Sequence, residues 1–157
     1  VNSEYAALSG RSYGNGLIDQ YKLEDAEIAV VCVGSTAGTL KVVIDGLRQE
    51  GIKAGLLRLR TFRPLPVEEL RNALKNTKAI AVMDKSMSFG GHGGAVFHEV
   101  RHALYDVQTQ PPVVNYIYGL GGRDTNPVVF RTIFDDLLRI VRTGRVEKQI
   151  TYFGVRD

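Results

Sequence analysis

The residues of this sequence whose types and spacing suit chemistry sit mostly in or beside three glycine-rich segments. These are Gly34-Ser35-Thr36-Ala37-Gly38, Gly90-Gly91-His92-Gly93-Gly94 and Gly119-Leu120-Gly121-Gly122. Glycine next to a helix start leaves backbone N–H groups open to a phosphate or carboxylate. Gly34, Ser35, Thr36, Gly38, Gly91, His92, Gly121, Gly122 and Arg123 are therefore the candidate cofactor-binding or domain-contact residues. The first segment fits neither GxGxxG nor GxxxxGK[ST], so it carries no nucleotide fingerprint. Its plainer alternative is a tight strand-to-helix turn with Ser35 or Thr36 as the cap.

His98 and His102 are four apart, which places both on one side of a helix. That spacing holds a metal only with a third ligand, and Glu99 faces elsewhere; exposed helix histidines are the alternative. His92 lies between glycines, where the lack of bulk admits a substrate or partner. Asp84 closes an apolar run, where a carboxylate takes loop N–H groups or receives a cation. Arg58 and Arg60 share one side of an extended segment and form a fork for a carboxylate of a neighbouring chain. Arg123-Asp124 allows the same reading. There is no set of four cysteines for an iron–sulfur cluster. No catalytic residue and no metal-ligand set is expected.

The elements that must position these residues follow from hydrophobic periodicity. Residues 28–33, IAVVCV, form a continuous apolar run, as expected of a strand buried on both faces of a parallel sheet. Leu40, Val43, Ile44 and Leu47 then share one helix face, and Gly51 suits a left-handed stop. Residues 55–59 form a second strand. RTFRPLP is a turn whose Pro66 opens a helix with Val67, Leu70, Ala73 and Leu74 inward. Residues 79–83 are a third strand, followed by a long loop and a helix striped by Val96, Val100, Ala103 and Leu104. Pro111-Pro112 ends that helix, and residues 113–118 are a fourth strand. Asn126 and Pro127 read as N-cap and first helical residue of a last helix. That helix buries Phe130, Ile133, Phe134, Leu137 and Val141 and stops before Gly144. Residues 150–155 fit an edge strand or an arm on a partner. Strand–helix alternation of this kind implies right-handed crossovers and a three-layer α/β/α domain with a mainly parallel sheet. Residues 1–25, rich in turn formers at SGRSYGNG, read as a connector from an upstream domain, and residues 26–157 as the domain itself.

Composition narrows the partners. With 44% hydrophobic and 24% charged residues, the 157-residue chain fits one globular domain. No apolar run approaches the roughly 20 residues of a membrane span, and no signal-peptide pattern opens the sequence. The lone Cys32 lies in an apolar run and reads as a small buried hydrophobe. These features point to the cytoplasm. The net charge of +3 is concentrated in residues 41–78, where nine basic residues face four acidic ones. Basic and acidic residues alternate there at helical spacing without exposed aromatics, so a solvated face or subunit contact is expected, not nucleic acid.

The string LEDAEIAVVCVGSTAGTLKVVIDGLRQEGIKAGLLRLRTFRPLPVEELRNAL resembles the second domain of pyruvate (2-oxoacid):ferredoxin oxidoreductases, in the C-terminal part of their alpha subunit. So do Met83-Asp84-Lys85-Ser86 with SFGGHGG, and PPVVNYIYGLGGRDTNP; the likeness runs from about Tyr13 to the end. It implies a fold like the transketolase C-terminal domain. It also implies the CoA-dependent oxidative decarboxylation of a 2-oxoacid, with ferredoxin as electron acceptor. The implied cofactors are thiamine diphosphate, Mg2+ and [4Fe-4S] clusters, none bound by this chain alone. The chain lacks a GDG…N motif, cluster cysteines and the preceding domain, which fits a cut or split subunit. The expected role is a packing and assembly domain, inactive in isolation, that meets ferredoxin and coenzyme A through the complex. Two alternatives remain. One is a free-standing nucleotide- or CoA-binding module. The other is the C-terminal domain of a dehydrogenase E1 beta or transketolase-like subunit, which shares an LRT-x-RP stretch.

Overall fold

The structure is a computed structural model that describes residues 2–12 and 14–155. Val1 and Tyr13 of the expected connector, and Arg156 and Asp157 of the tail, lie outside the described residues. The elements in chain order are α1 (Asn2–Ser9), β1 (Ile18–Tyr21), β2 (Ile28–Val33), α2 (Thr36–Gln49), β3 (Ala54–Leu59) and α3 (Val67–Leu74). They continue with β4 (Ala79–Asp84), α4 (Ala95–Leu104), β5 (Val113–Ile117), a 3-10 turn at Leu120–Gly122, α5 (Pro127–Thr143) and β6 (Ile150–Tyr152).

The strands form one six-stranded sheet in the order β1-β3-β2-β4-β5-β6. β2 to β6 are parallel, and only β1 runs antiparallel, against β3. The period of two along β2 divides the core: Ile28, Val30 and Cys32 face one side, Ala29 and Val31 the other. On the first side α2 contributes Leu40 and Ile44, and α5 contributes Phe130 and Phe134. On the second, Leu70 and Leu74 of α3 join Phe97 and Val100 of α4. The Leu, Ile, Val and Phe side chains among these are fully buried, a gain of roughly 1.5–3 kcal/mol apiece. The expected three-layer α/β/α architecture is therefore the observed one.

The helix punctuation follows local chemistry. Gly51 and Gly144 take φ of 80° and 67°, the left-handed conformation expected after a helix. Asn126 accepts the Val129 N–H at 3.1 Å with Pro127 behind it, as its position suggested. One local expectation differs. Ser35 occupies the N-cap position of α2, but its side chain makes no cap bond because the residue is itself in the right-handed helical region.

The stretch read as a connector contains structure of its own. α1 precedes β1, and β1 closes the sheet edge, with Ile18 opposite Leu59 and Tyr21 opposite Leu56. The turn after β1 packs so closely that a Cβ at Gly55 would meet Ala26 Cβ and Leu23 Cδ1 at 2.8 Å. At the other edge, residues 150–152 form a strand parallel to β5, which selects the edge-strand alternative over the arm.

Candidate functional site

In this sheet the chain runs from β2 outward to β3 and then crosses back to β4 on the other side of β2. The carboxyl ends of β2 and β4 are thus a topological switch point, where crossovers diverge and leave a crevice. A cavity of about 430 Å³ lies there, lined among others by Ser35, Thr36, Lys85, Tyr118, Gly122 and Arg123. A smaller cavity adjoins it at Gly34 and shares Ser35, Lys85 and Tyr118.

Each wall has a local cause. Gly34 turns the chain out of β2 with φ of 77° and opens space where a Cβ would meet nothing within 4 Å. α2 then starts with its positive dipole end at the crevice. Beyond β5, Gly119, Gly121 and Gly122 all take positive φ and coil the backbone back over the sheet edge. The floor is a buried hydrogen bond of 2.7 Å between Thr36 Oγ1 and the Tyr118 hydroxyl. Burial pushes the Tyr118 phenol above its ordinary value, against the lowering effect of that bond. The Lys85 ammonium stands 5.7 Å over the Tyr118 ring, and the Arg123 guanidinium donates to the Gly154 carbonyl.

The crevice offers donors, two cations and one carboxylate, Asp124; its lining contains no thiol and no imidazole. Such a set of donors and cations suits an anionic or oxygen-rich group.

Of the residues singled out in the sequence, Gly34, Ser35, Thr36, Gly122 and Arg123 converge on this crevice. Gly38 stands in the first turn of α2 and Gly121 in the 3-10 turn, both outside the lining. Lys85 and Tyr118 had no such reading from residue type. A cation directly after a buried strand was the only available signal for Lys85, and the Thr36 partnership that places Tyr118 spans 82 positions.

Gly91 and His92 belong elsewhere. Their loop is tied down by Asp84, whose Oδ1 accepts Val96 N–H at 2.9 Å and whose Oδ2 accepts Phe97 N–H at 3.1 Å. The Asn115 amide donates to Asp84 Oδ2 at 3.0 Å and to the Val82 carbonyl at 2.9 Å, while its oxygen accepts the Gly94 N–H. Asp84 is thus a cap for α4 reached from a strand; the N–H groups it takes belong to the first turn of that helix and not, as its position suggested, to the loop. His92 is exposed, and its carbonyl lies 2.8 Å from the exposed His98 Nε2. Among the described residues, no three His, Cys, Asp or Glu side chains gather to hold a metal. Glu99 pairs with Arg63 at 2.6 Å.

Comparison with known proteins places this architecture. The model of the pyruvate:ferredoxin oxidoreductase core domain II family matches residues 26–129. Pyruvate synthase subunit PorA of Methanosarcina barkeri is 40% identical over 141 residues, covering 90% of this chain and 35% of the relative. Ketoisovalerate oxidoreductase subunit VorA of Pyrococcus horikoshii is 37% identical over 156 residues, covering 99% of this chain and 39% of the relative. The chain thus spans less than two fifths of the length of these curated relatives. A solved split-gene transketolase, an inactive beta4 tetramer, shares the fold with a TM-score of 0.64 at 16% identity over 84% of this chain and 44% of that one. On the match over residues 26–129, the chain belongs to the pyruvate:ferredoxin oxidoreductase core domain II family.

Proposed function

We propose that this chain is the second domain of an alpha subunit in a 2-oxoacid:ferredoxin oxidoreductase, serving assembly and not bond-breaking. The whole enzyme would cleave the carboxyl carbon from a 2-oxoacid as CO2, join the acyl group to coenzyme A and pass two electrons to ferredoxin. The observation that carries this reading is the similarity over 90–99% of the chain to relatives named for two different 2-oxoacids. A domain kept in common between them serves what they share, so choice of substrate falls to other parts.

The donor set of this chain does not fit the family's metal groups. An iron–sulfur cluster needs several thiolates, and the single Cys32 is fully buried, its thiol pushed up to about 12 by burial. The described residues also offer no carboxylate cluster for Mg2+. Thiamine diphosphate, Mg2+ and the clusters are assigned to the remaining domains and subunits. The crevice is read as the place where Ser35, Thr36, Lys85 and Arg123 hold an anionic group at a domain boundary, coenzyme A among the candidates. Val33, Met87 and the wholly exposed Phe89 add apolar surface at the same end of the sheet, which suits a face covered in the complex.

Reconstitution tests the reading. Co-expressed with the other subunits, the chain is expected to complete pyruvate- and CoA-dependent reduction of ferredoxin, and to show no activity by itself. Decarboxylation by the isolated chain, or full activity of the other subunits without it, would overturn the proposal. Calorimetry with coenzyme A separates the alternative of a free-standing binding module, which requires saturable heat from the chain alone.

A further inference from the structure

The fork of Arg58 and Arg60 takes no part in the crevice, and it sits at a cavity of its own. This cavity, about 640 Å³, opens between the segment entering β1 and the end of β3, and it shares no lining residue with the crevice. Its lining includes Ser12, Asn15, Asp19 and Gln20 besides the two arginines. Arg58 Nε is buried there and has no hydrogen-bond partner among the described residues. A dry, unpaired charged donor is costly, and native structures keep few of them without a reason.

The neighbouring groups do not relieve it. In the β1–β3 register Asp19 stands opposite Arg58, yet its carboxylate pairs with Lys41 of α2 at 3.4 Å. On the other flank Arg58 faces Cys32 of β2, whose thiol stays neutral. Asn15 spends its oxygen on the Leu17 N–H at 2.9 Å, which leaves its amide as a further donor. The one carboxylate of the lining, Asp19, is thus drawn to Lys41, and Arg58 Nε is left without an acceptor.

We propose that this cavity receives a carboxylate, held side-on by Arg58 with Arg60 beside it. Two parallel N–H donors of a guanidinium match the two oxygens of a carboxylate, which supplies the missing acceptor for Nε. Asp19 in the lining repels a dianion more than a monoanion, which selects carboxylate over phosphate. The carboxylate belongs either to a small molecule or to an acidic side chain of a neighbouring polypeptide.

The arginine Nε–Hε resonance reads this directly. In the isotope-labelled chain, the Arg58 signal, identified by its loss in Arg58→Lys, is expected to move downfield and saturate on titration with sodium acetate at constant ionic strength. Arg58→Lys keeps the charge but not the fork, and it is expected to weaken acetate binding by at least about tenfold in calorimetry. A signal already downfield in the reconstituted complex, and unmoved by acetate there, assigns the carboxylate to a neighbouring polypeptide. If neither acetate nor assembly shifts the signal, the proposal fails. A response to inorganic phosphate at lower concentration than to acetate overturns the choice of carboxylate. The acetate titration needs no other subunit, so its outcome is separate from that of the reading above.

Discussion

A Cβ added at Gly94 would lie 2.1 Å from Asp84 Cγ, whereas one added at Gly122 would meet nothing within 4 Å. The two glycines belong to loops that leave the same edge of the sheet, from β4 and β5, and the chain uses glycine in them for opposite reasons. In the β4–α4 loop the backbone is pressed onto a buried carboxylate and an aromatic ring: Gly93 would bring a Cβ to 2.7 Å from Phe97 Cδ1. At Gly34, Gly121 and Gly122 the space is open, and glycine is required for positive φ. The packed Gly93 and Gly94 anchor a helix and the open Gly34 and Gly122 shape a crevice, while Gly90 is open within the packed loop. Glycine richness in a sequence does not separate the two, and His92, the only imidazole among these loops, falls in the packed one.

Substitutions can break or sharpen this contrast. Gly94→Ala carries the largest expected effect, since relief would require moving a backbone bonded to Asn115 or a carboxylate bonded to α4. A loss of about 3 kcal/mol is expected, read as a lower midpoint in urea unfolding. Asp84→Ala should approach it, because two helix N–H groups and the Asn115 amide lose their acceptor; about 2–3 kcal/mol is expected by the same assay. An unchanged midpoint for either variant would remove the claim that this loop is a packed anchor.

On the crevice side the effects should be smaller. Thr36→Val leaves the buried Tyr118 hydroxyl without its partner and is expected to cost about 1–2 kcal/mol. It should also raise the Tyr118 phenol further, since the Thr36 bond lowers it. Tyr116 is likewise raised, first by burial and then by its bond to Asp136. Both phenols keep their proton longer in the folded than in the unfolded chain. Stability from this source is therefore complete below pH about 10 and falls as pH rises beyond it. Alkaline unfolding followed by tyrosinate absorbance checks the sign, and a rise in stability above that pH would contradict the burial of these rings.

Gly122→Ala meets no neighbour but must hold a positive φ, and about 1 kcal/mol is the expected cost. Gly38→Ala is the smallest change and has the opposite sign. Gly38 is exposed in the first turn of α2, without positive φ and with free space for a methyl group. Alanine there is expected to add about 0.5 kcal/mol, seen as a small rise in Tm.

Most of the layer structure was legible because it rests on local spacing. The stripes of α2 and α5, the apolar runs of β2 and β4, and the stops at Gly51 and Gly144 each depend on residues within a few positions of one another. The edges were less legible. β1 is IDQY and β6 is ITY, four and three residues long, too short and too polar to set a period. What makes them strands is the hydrogen-bonding edge offered by β3 and by β5.

The sequence by itself determined that strands alternate with helices, that glycine loops follow β2, β4 and β5, and which family the motifs resemble. Only the tertiary structure decided which loops meet. The crossover from β3 to β4 sets the switch point between β2 and β4, so the first and third loops share a crevice with Lys85 and Tyr118. The same topology lays β1 against β3 and buries Arg58 Nε without an acceptor. Strand order is fixed by packing among distant segments, and no local period encodes it.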